Sequence, residues 1–152
     1  MLTRRQILTT TAAAVPAAVI MARPVWSGSS AIYAENGVAI DGSDVVAYFA
    51  GNGPVVGDPG IALNWKGATW HFSSVENRDT FEADPSAYEP QFGGYCAWAV
   101  ANGYVASTVP EAWSLHGGRL YLNYSRRIRR RWERDIEGNI ALGEQNWPAV
   151  LA

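Results

Sequence analysis

Apolar and polar residues alternate most cleanly in two stretches of the chain. In LNWKGATWHFSS (63–74) the spacing of Trp65, Trp70 and Phe72 around Lys66-Gly67 predicts a β-hairpin that turns at those two residues. On its second arm Ala68, Trp70 and Phe72 share one face, and Thr69, His71 and Ser73 share the other. WSLHGGRLYLNYS (113–125) predicts a second hairpin, with Gly117-Gly118 suited to a type I′ turn because both central residues need positive φ. A helical period runs through SRRIRRRWERDI (125–136), where Ile128, Trp132 and Ile136 stand at i, i+4 and i+8 behind Ser125 as N-cap. SSVENRDTFEADP (73–85) also reads as a helix: Ser73 or Ser74 caps it, Ser73 and Glu76 have capping-box spacing, and Pro85 ends it. A last helix over roughly 138–147 stops before Pro148.

The remaining segments are less periodic. DVVAYFAG (44–51) is apolar and β-prone and predicts a strand, followed by a loop rich in glycine and proline over 51–60. Residues 35–43 read as a lead-in ending in a turn. CAWAVA (96–101) fits a short strand or a helical turn, and Gly93-Gly94 signals close backbone approach just ahead of it. The order of elements implies a small single α+β domain, with β-hairpins packed against helices and a C-terminal helical extension.

The first 34 residues have a different character. Thr3-Arg4-Arg5-Gln6-Ile7-Leu8 is similar to a twin-arginine export signal, and an apolar run from Ile7 to Ala22 follows. That run contains Thr9, Thr10, Thr11 and Pro16 and falls short of the ~20 apolar residues of a comfortable membrane span. The expected organisation is a signal peptide over 1–34, cleaved after Ala31 or Ala34, and a folded domain over 35–152 in the periplasm or outside the cell. The other reading is an uncleaved N-terminal membrane anchor. Removal of Arg4, Arg5 and Arg23 leaves nine Lys/Arg against fourteen Asp/Glu, and moves the net charge from −2 to about −5. Nothing in that balance suggests a nucleic-acid partner. Both methionines, Met1 and Met21, leave with the signal.

The soft and borderline metal ligands of the remaining domain are then Cys96, His71 and His116. One Cys and two His make a chemically sensible copper site, whereas zinc needs a carboxylate or water as fourth ligand. Cys96 keeps three readings: a small buried hydrophobe, a redox thiol held as thiolate by a cation or helix N-terminus, or a metal ligand with His71 as first-choice partner. Any disulfide would be intermolecular, because the chain has one cysteine. The default for His71 is a surface histidine and for His116 an exposed turn residue, with metal ligation as the alternative, and Asp44 and Glu76 read as turn or cap residues. Tyr95, Trp98 and Tyr104 are placed to wall a pocket around Cys96. No Ser/His/Asp nucleophile elbow and no phosphate-binding glycine loop points to catalysis. Arg126, Arg127, Arg129, Arg130, Arg131 and Arg134 put six arginines into nine residues. They form either a solvated face paired with Glu133 and Asp135 or a docking patch for anionic lipid or an acidic protein.

WHFSSVENRDTFEADPSAYEP resembles a YHS domain. Trp70, His71, Phe72 and Ser74 stand in the family's Tyr-His-Phe-Cys-Ser run, and Phe81, Asp84, Pro85 and Tyr88 complete the pattern. Together with DVVAYF, WKGATWHF, QFGGYCAWAV, GGRLYLNYS and NWPAVL, the stretch 38–151 is similar to the exported YHS-domain (seleno)proteins of bacteria. The resemblance implies metal binding through cysteines, but the family's cysteine positions are Ala47, Ser73 and Asn77 in this chain. A hydroxyl and an amide replace thiolates poorly on a soft metal. In the closer branch a selenocysteine is expected at the position of Cys96, which implies redox or metal chemistry there. The expectation is therefore a binding protein for a transition metal, copper or zinc, or for a small ligand, at a pocket near Cys96. The alternatives are a thiol redox protein and an interaction module docking through the arginine helix.

Overall fold

A computed structural model describes residues 28–51 and 53–152. Arg4, Arg5 and the apolar run Ile7–Ala22 lie outside the described residues. Among the described residues no helix is long and apolar enough to cross a membrane. The chain order is β1 (Ala34–Glu35), β2 (Val38–Ala39), β3 (Asp58–Trp65), β4 (Ala68–Phe72), α1 (Val75–Ala83), α2 (Pro85–Tyr88), α3 (Ala97–Ala101), β5 (Trp113–His116), β6 (Arg119–Leu122), α4 (Arg126–Trp132) and α5 (Ile136–Asn146). Four strands form one sheet in the order β1-β2-β4-β3, and β5-β6 form a second. The fold is α+β, as expected.

Both hairpins turn where the sequence places them. Trp65 pairs with Ala68 across Lys66-Gly67, and His116 pairs with Arg119 across Gly117 (φ 58°) and Gly118 (φ 74°). Ala68, Trp70 and Phe72 are buried on one face of β4. They pack with Phe81 of α1, Tyr48 and Ile32 into the first of two apolar cores. β6 separates the cores: Leu120 and Leu122 enter the first, and Tyr121 enters the second with Phe92, Tyr95, Val100 and Trp132. A strand with a core on each face has no solvent side, which explains the unbroken apolar run Leu120-Tyr121-Leu122.

Three local expectations are corrected. Residues 44–51 form a 3-10 turn over Ala47–Ala50, not a strand. The cause is Asp44, whose Oδ1 accepts the amides of Val46 at 2.9 Å and Ala47 at 3.2 Å and so turns the backbone. The expected loop 51–60 gives way to β3 from Asp58, with a register irregularity before Ala62. The helix expected over 125–136 is interrupted at Glu133–Asp135, and α5 starts anew at Ile136 because Asp135 caps it through a bond from the Gly138 amide. At the start of α1, Ser74 and not Ser73 accepts the Asn77 amide, which frees Ser73 for another partner.

The expected boundary after Ala31 or Ala34 falls inside the fold. Ile32 is 2 % exposed in the first core. The Ser29 amide donates to the Leu151 carbonyl, the Tyr33 amide to the Gly93 carbonyl, and the Tyr95 hydroxyl to the Ser30 carbonyl. Ala31 lies so close to Gly93 that a Cβ on Gly93 would collide with its carbonyl. β1 itself contains Ala34.

Candidate functional site: the cavity over Cys96

Gly94, at φ 85°, brings the chain against Ile40 and leads it to Cys96 alongside β6, where Cys96 and Leu122 form a parallel bridge. Cys96 is the N-cap residue of α3, so the CAWAVA segment is helical, not extended. The orphan amides of that helix start are met by a residue distant in sequence: Oδ1 of Asn123, at the end of β6, accepts the Trp98 amide at 3.0 Å. The same oxygen lies 3.5 Å from the Cys96 sulfur, which can donate its S–H to it. The Tyr124 amide in turn donates to Cys96 Sγ at 3.3 Å. Asn123 is fully buried and organises the site, yet its Nδ2 has no hydrogen-bond partner among the described residues. Sequence reasoning missed it; its only trace is a polar residue ending an apolar strand.

The thiol is 1 % exposed. Burial pushes its pKa above the ordinary thiol range, and the opposing backbone amides of Ala99, Tyr124 and Trp98 do not offset it. A thiol held in its protonated form is a poor nucleophile. Over the sulfur lies an open cavity of about 220 Å³ walled by Cys96, Trp98, Tyr104, Ala106, Tyr124 and Ile128. Tyr104 and Tyr124 are 51 % and 56 % exposed and stand at its edge. Trp98 and Tyr104 thus flank the thiol, whereas Tyr95 turns away to Tyr33 and Trp147.

The other candidate ligands lie elsewhere. His71 is half-buried on β4, where Gly57 packs on its backbone and Gly42 approaches its ring. His116 bonds Glu137 at 2.6 Å across the end of the second hairpin. Neither lines the cavity, and among the described residues no group of three or more His, Cys, Asp or Glu is placed to hold a metal ion. The positions where the resembled family carries cysteine do converge, but around a carboxylate. Asp44, fully buried, accepts from Ser73 Oγ at 2.6 Å, the Ser73 amide at 2.8 Å and Asn77 Nδ2 at 2.8 Å, besides the Val46 and Ala47 amides. Hydrogen-bond donors thus fill the place of thiolates, and this donor set does not suit a soft metal.

The six arginines divide. Arg129 is half-buried: its Nε donates to Glu133 at 2.8 Å and Ser114 at 3.1 Å, and its guanidinium lies over Trp113. Arg131 is exposed, with its guanidinium carbon 5.7 Å from the centroid of the Trp98 ring. Arg126, Arg127, Arg130 and Arg134 are exposed, and with Arg131 they have no ion-pair partner among the described residues. Of the two expected partners, Glu133 pairs with Arg129, whereas Asp135 caps the start of α5.

A larger cleft of about 390 Å³ is lined by Phe92 and Trp147 together with Lys66, Glu89, Arg119 and Glu144. Its charges are already matched, Lys66 to Glu89 at 3.1 Å and Arg119 to Glu144 at 3.9 Å. No family model, no curated protein and no solved structure matches the chain.

Proposed function

We propose that this protein binds a small apolar molecule, about one aromatic ring in size, in the cavity over Cys96, as an exported YHS-like domain that has given up the family's cysteine positions. The carrying observation is the composition of the cavity wall. Three aromatic side chains, Ile128 and Ala106 surround a neutral thiol, and no second metal-binding side chain is among them. Such a wall favours rings through apolar burial and edge or face contact, with the sulfur as a soft, polarizable floor. The small-ligand expectation is therefore preferred to copper or zinc. At ~0.3–0.5 kcal/mol per heavy atom, a probe of roughly nine heavy atoms gains about 3–4.5 kcal/mol and should bind with a Kd near the millimolar range.

The test uses 2-phenylethanol as probe, titrated into the folded protein while backbone amide resonances are followed. Saturable shifts centred on Cys96, Trp98 and Tyr124, abolished by the cavity-filling Ala106→Trp, support the reading. Absence of saturable shifts at those amides up to the solubility limit of the probe overturns it.

A further inference from the structure

We infer that the molecule bound over Cys96 is an apolar acid, whose ring enters the cavity and whose carboxylate meets Arg131; this rests on the ligand reading above. Trp98 joins two features: it walls the cavity, and Arg131 lies over its ring. Arg131 follows Ile128, another wall residue, by three positions on α4, so the two sit on neighbouring turns of one helix face. Arg127 stands four residues before Arg131 and extends the same positive edge.

The state of Arg131 makes it a recognition group. Its guanidinium is exposed and has no carboxylate partner among the described residues, while Arg129 two residues earlier is tied to Glu133. A guanidinium fork offers two parallel N–H donors to a carboxylate. The cavity wall adds no competing charge, because none of its residues is acidic or basic. An apolar recess whose Trp98 wall carries a guanidinium without an ion-pair partner among the described residues selects a molecule with a ring at one end and an anion at the other.

Phenylacetate and 2-phenylethanol, which share the ring and differ in charge, decide the matter. The two are titrated at low ionic strength into the wild type, Arg131→Gln, Arg131→Lys and Arg130→Gln, the last removing a charge from the same helix away from Trp98. Expected is a preference for phenylacetate of about five-fold, the upper end for an exposed ion pair, shrinking as salt is added. Arg131→Gln should remove the preference by bringing phenylacetate affinity down to that for 2-phenylethanol in the same variant. Arg131→Lys should keep part of it, and Arg130→Gln all of it. Equal binding of both probes by the wild type overturns the acid assignment and leaves the ligand site standing. A preference that survives Arg131→Gln, or falls equally in Arg130→Gln, overturns the role of Arg131. Binding of neither probe overturns both readings.

Discussion

Ser73 Oγ lies 2.6 Å from Oδ2 of Asp44, 29 residues earlier, at the centre of a buried carboxylate cluster. Five donors converge on Asp44, the fifth being the side-chain Nδ2 of Asn77 from the first turn of α1. The cluster ties the 3-10 turn at 47–50 to the junction of β4 and α1. Asp44→Ala removes the shared acceptor of these donors, of which Val46, Ala47 and Asn77 are half-buried and Ser73 is exposed, and each donor that water does not reach costs ~1–3 kcal/mol. Urea unfolding of Asp44→Ala should show a loss of at least about 3 kcal/mol, with Asp44→Asn losing less. A loss below about 1 kcal/mol in the alanine variant would show that the cluster does not hold these elements together.

What was legible in the sequence was local. Lys66-Gly67, Gly117-Gly118 and the Ser125 cap act through residues within four positions, so a short window contains the whole cause. The strand expected over 44–51 failed although the bonds that turn it are local: Asp44 Oδ1 takes the Val46 and Ala47 amides, and this side-chain competition overrides the β-prone run, while partners 29 and 33 residues away hold the other oxygen. The cavity was half legible. Trp98 and Tyr104 were visible as aromatics near Cys96, whereas Tyr124, Ile128 and Asn123 arrive from a hairpin and helix some 25 residues later. Small residues around Ala31 and Ala34 resemble a cleavage site by composition, and their packing against Gly93 and Leu151 depends on the far end of the chain.

That packing yields a second prediction. A chain beginning at Glu35 lacks Ile32, whose full burial is worth ~1.5–3 kcal/mol, and the bonds that tie Ser29, Ser30 and Tyr33 to Leu151, Tyr95 and Gly93. It should be less stable than a chain beginning at Gly28 by about 3 kcal/mol or more, measured as the difference in urea unfolding. Equal stability would return residues 28–34 to the leader. If the N-terminal motif directs export and processing, mass spectrometry of the exported protein should find its first residue at or before Ser29.

Cys96 gives a prediction in pH. Its pKa is raised in the fold by burial, so the folded state keeps its proton while the unfolded thiol, with the ordinary value of about 8.5, has begun to lose it. Below that value both states are protonated and the thiol adds no pH dependence. Above it the unfolded state binds fewer protons, and stability falls with rising pH until the folded pKa is passed. Wild type should therefore lose stability relative to Cys96→Ala between about pH 8.5 and 10. Both proteins carry the raised tyrosines, Tyr48 among them at about 12, so those cancel in the difference. Iodoacetamide at pH 8 should alkylate the folded thiol far more slowly than the urea-unfolded one, and equal rates would mean that the sulfur is not sequestered.

The last prediction separates the two duties of Asn123. Its Oδ1 serves the Trp98 amide and the Cys96 thiol together, so it sets both the start of α3 and the floor of the cavity. Asn123→Ala removes a cap and leaves the amide and the thiol unmet, a loss of about 2 kcal/mol. Asn123→Asp keeps the acceptor for the Trp98 amide but places a carboxylate 0 % exposed beside a neutral sulfur, where an unpaired charge is costly. That burial should raise the introduced carboxyl's pKa, so the variant should gain stability as pH falls, on an ordinary scale where free Asp titrates near 3.9. Urea unfolding at pH 5 and pH 8 reads this directly: Asn123→Asp should approach wild type at the lower pH, and Asn123→Ala should show no such recovery. If both variants lose the same amount at both pH values, the acceptor at this position contributes nothing beyond packing, and the thiol is oriented by the Tyr124 amide alone.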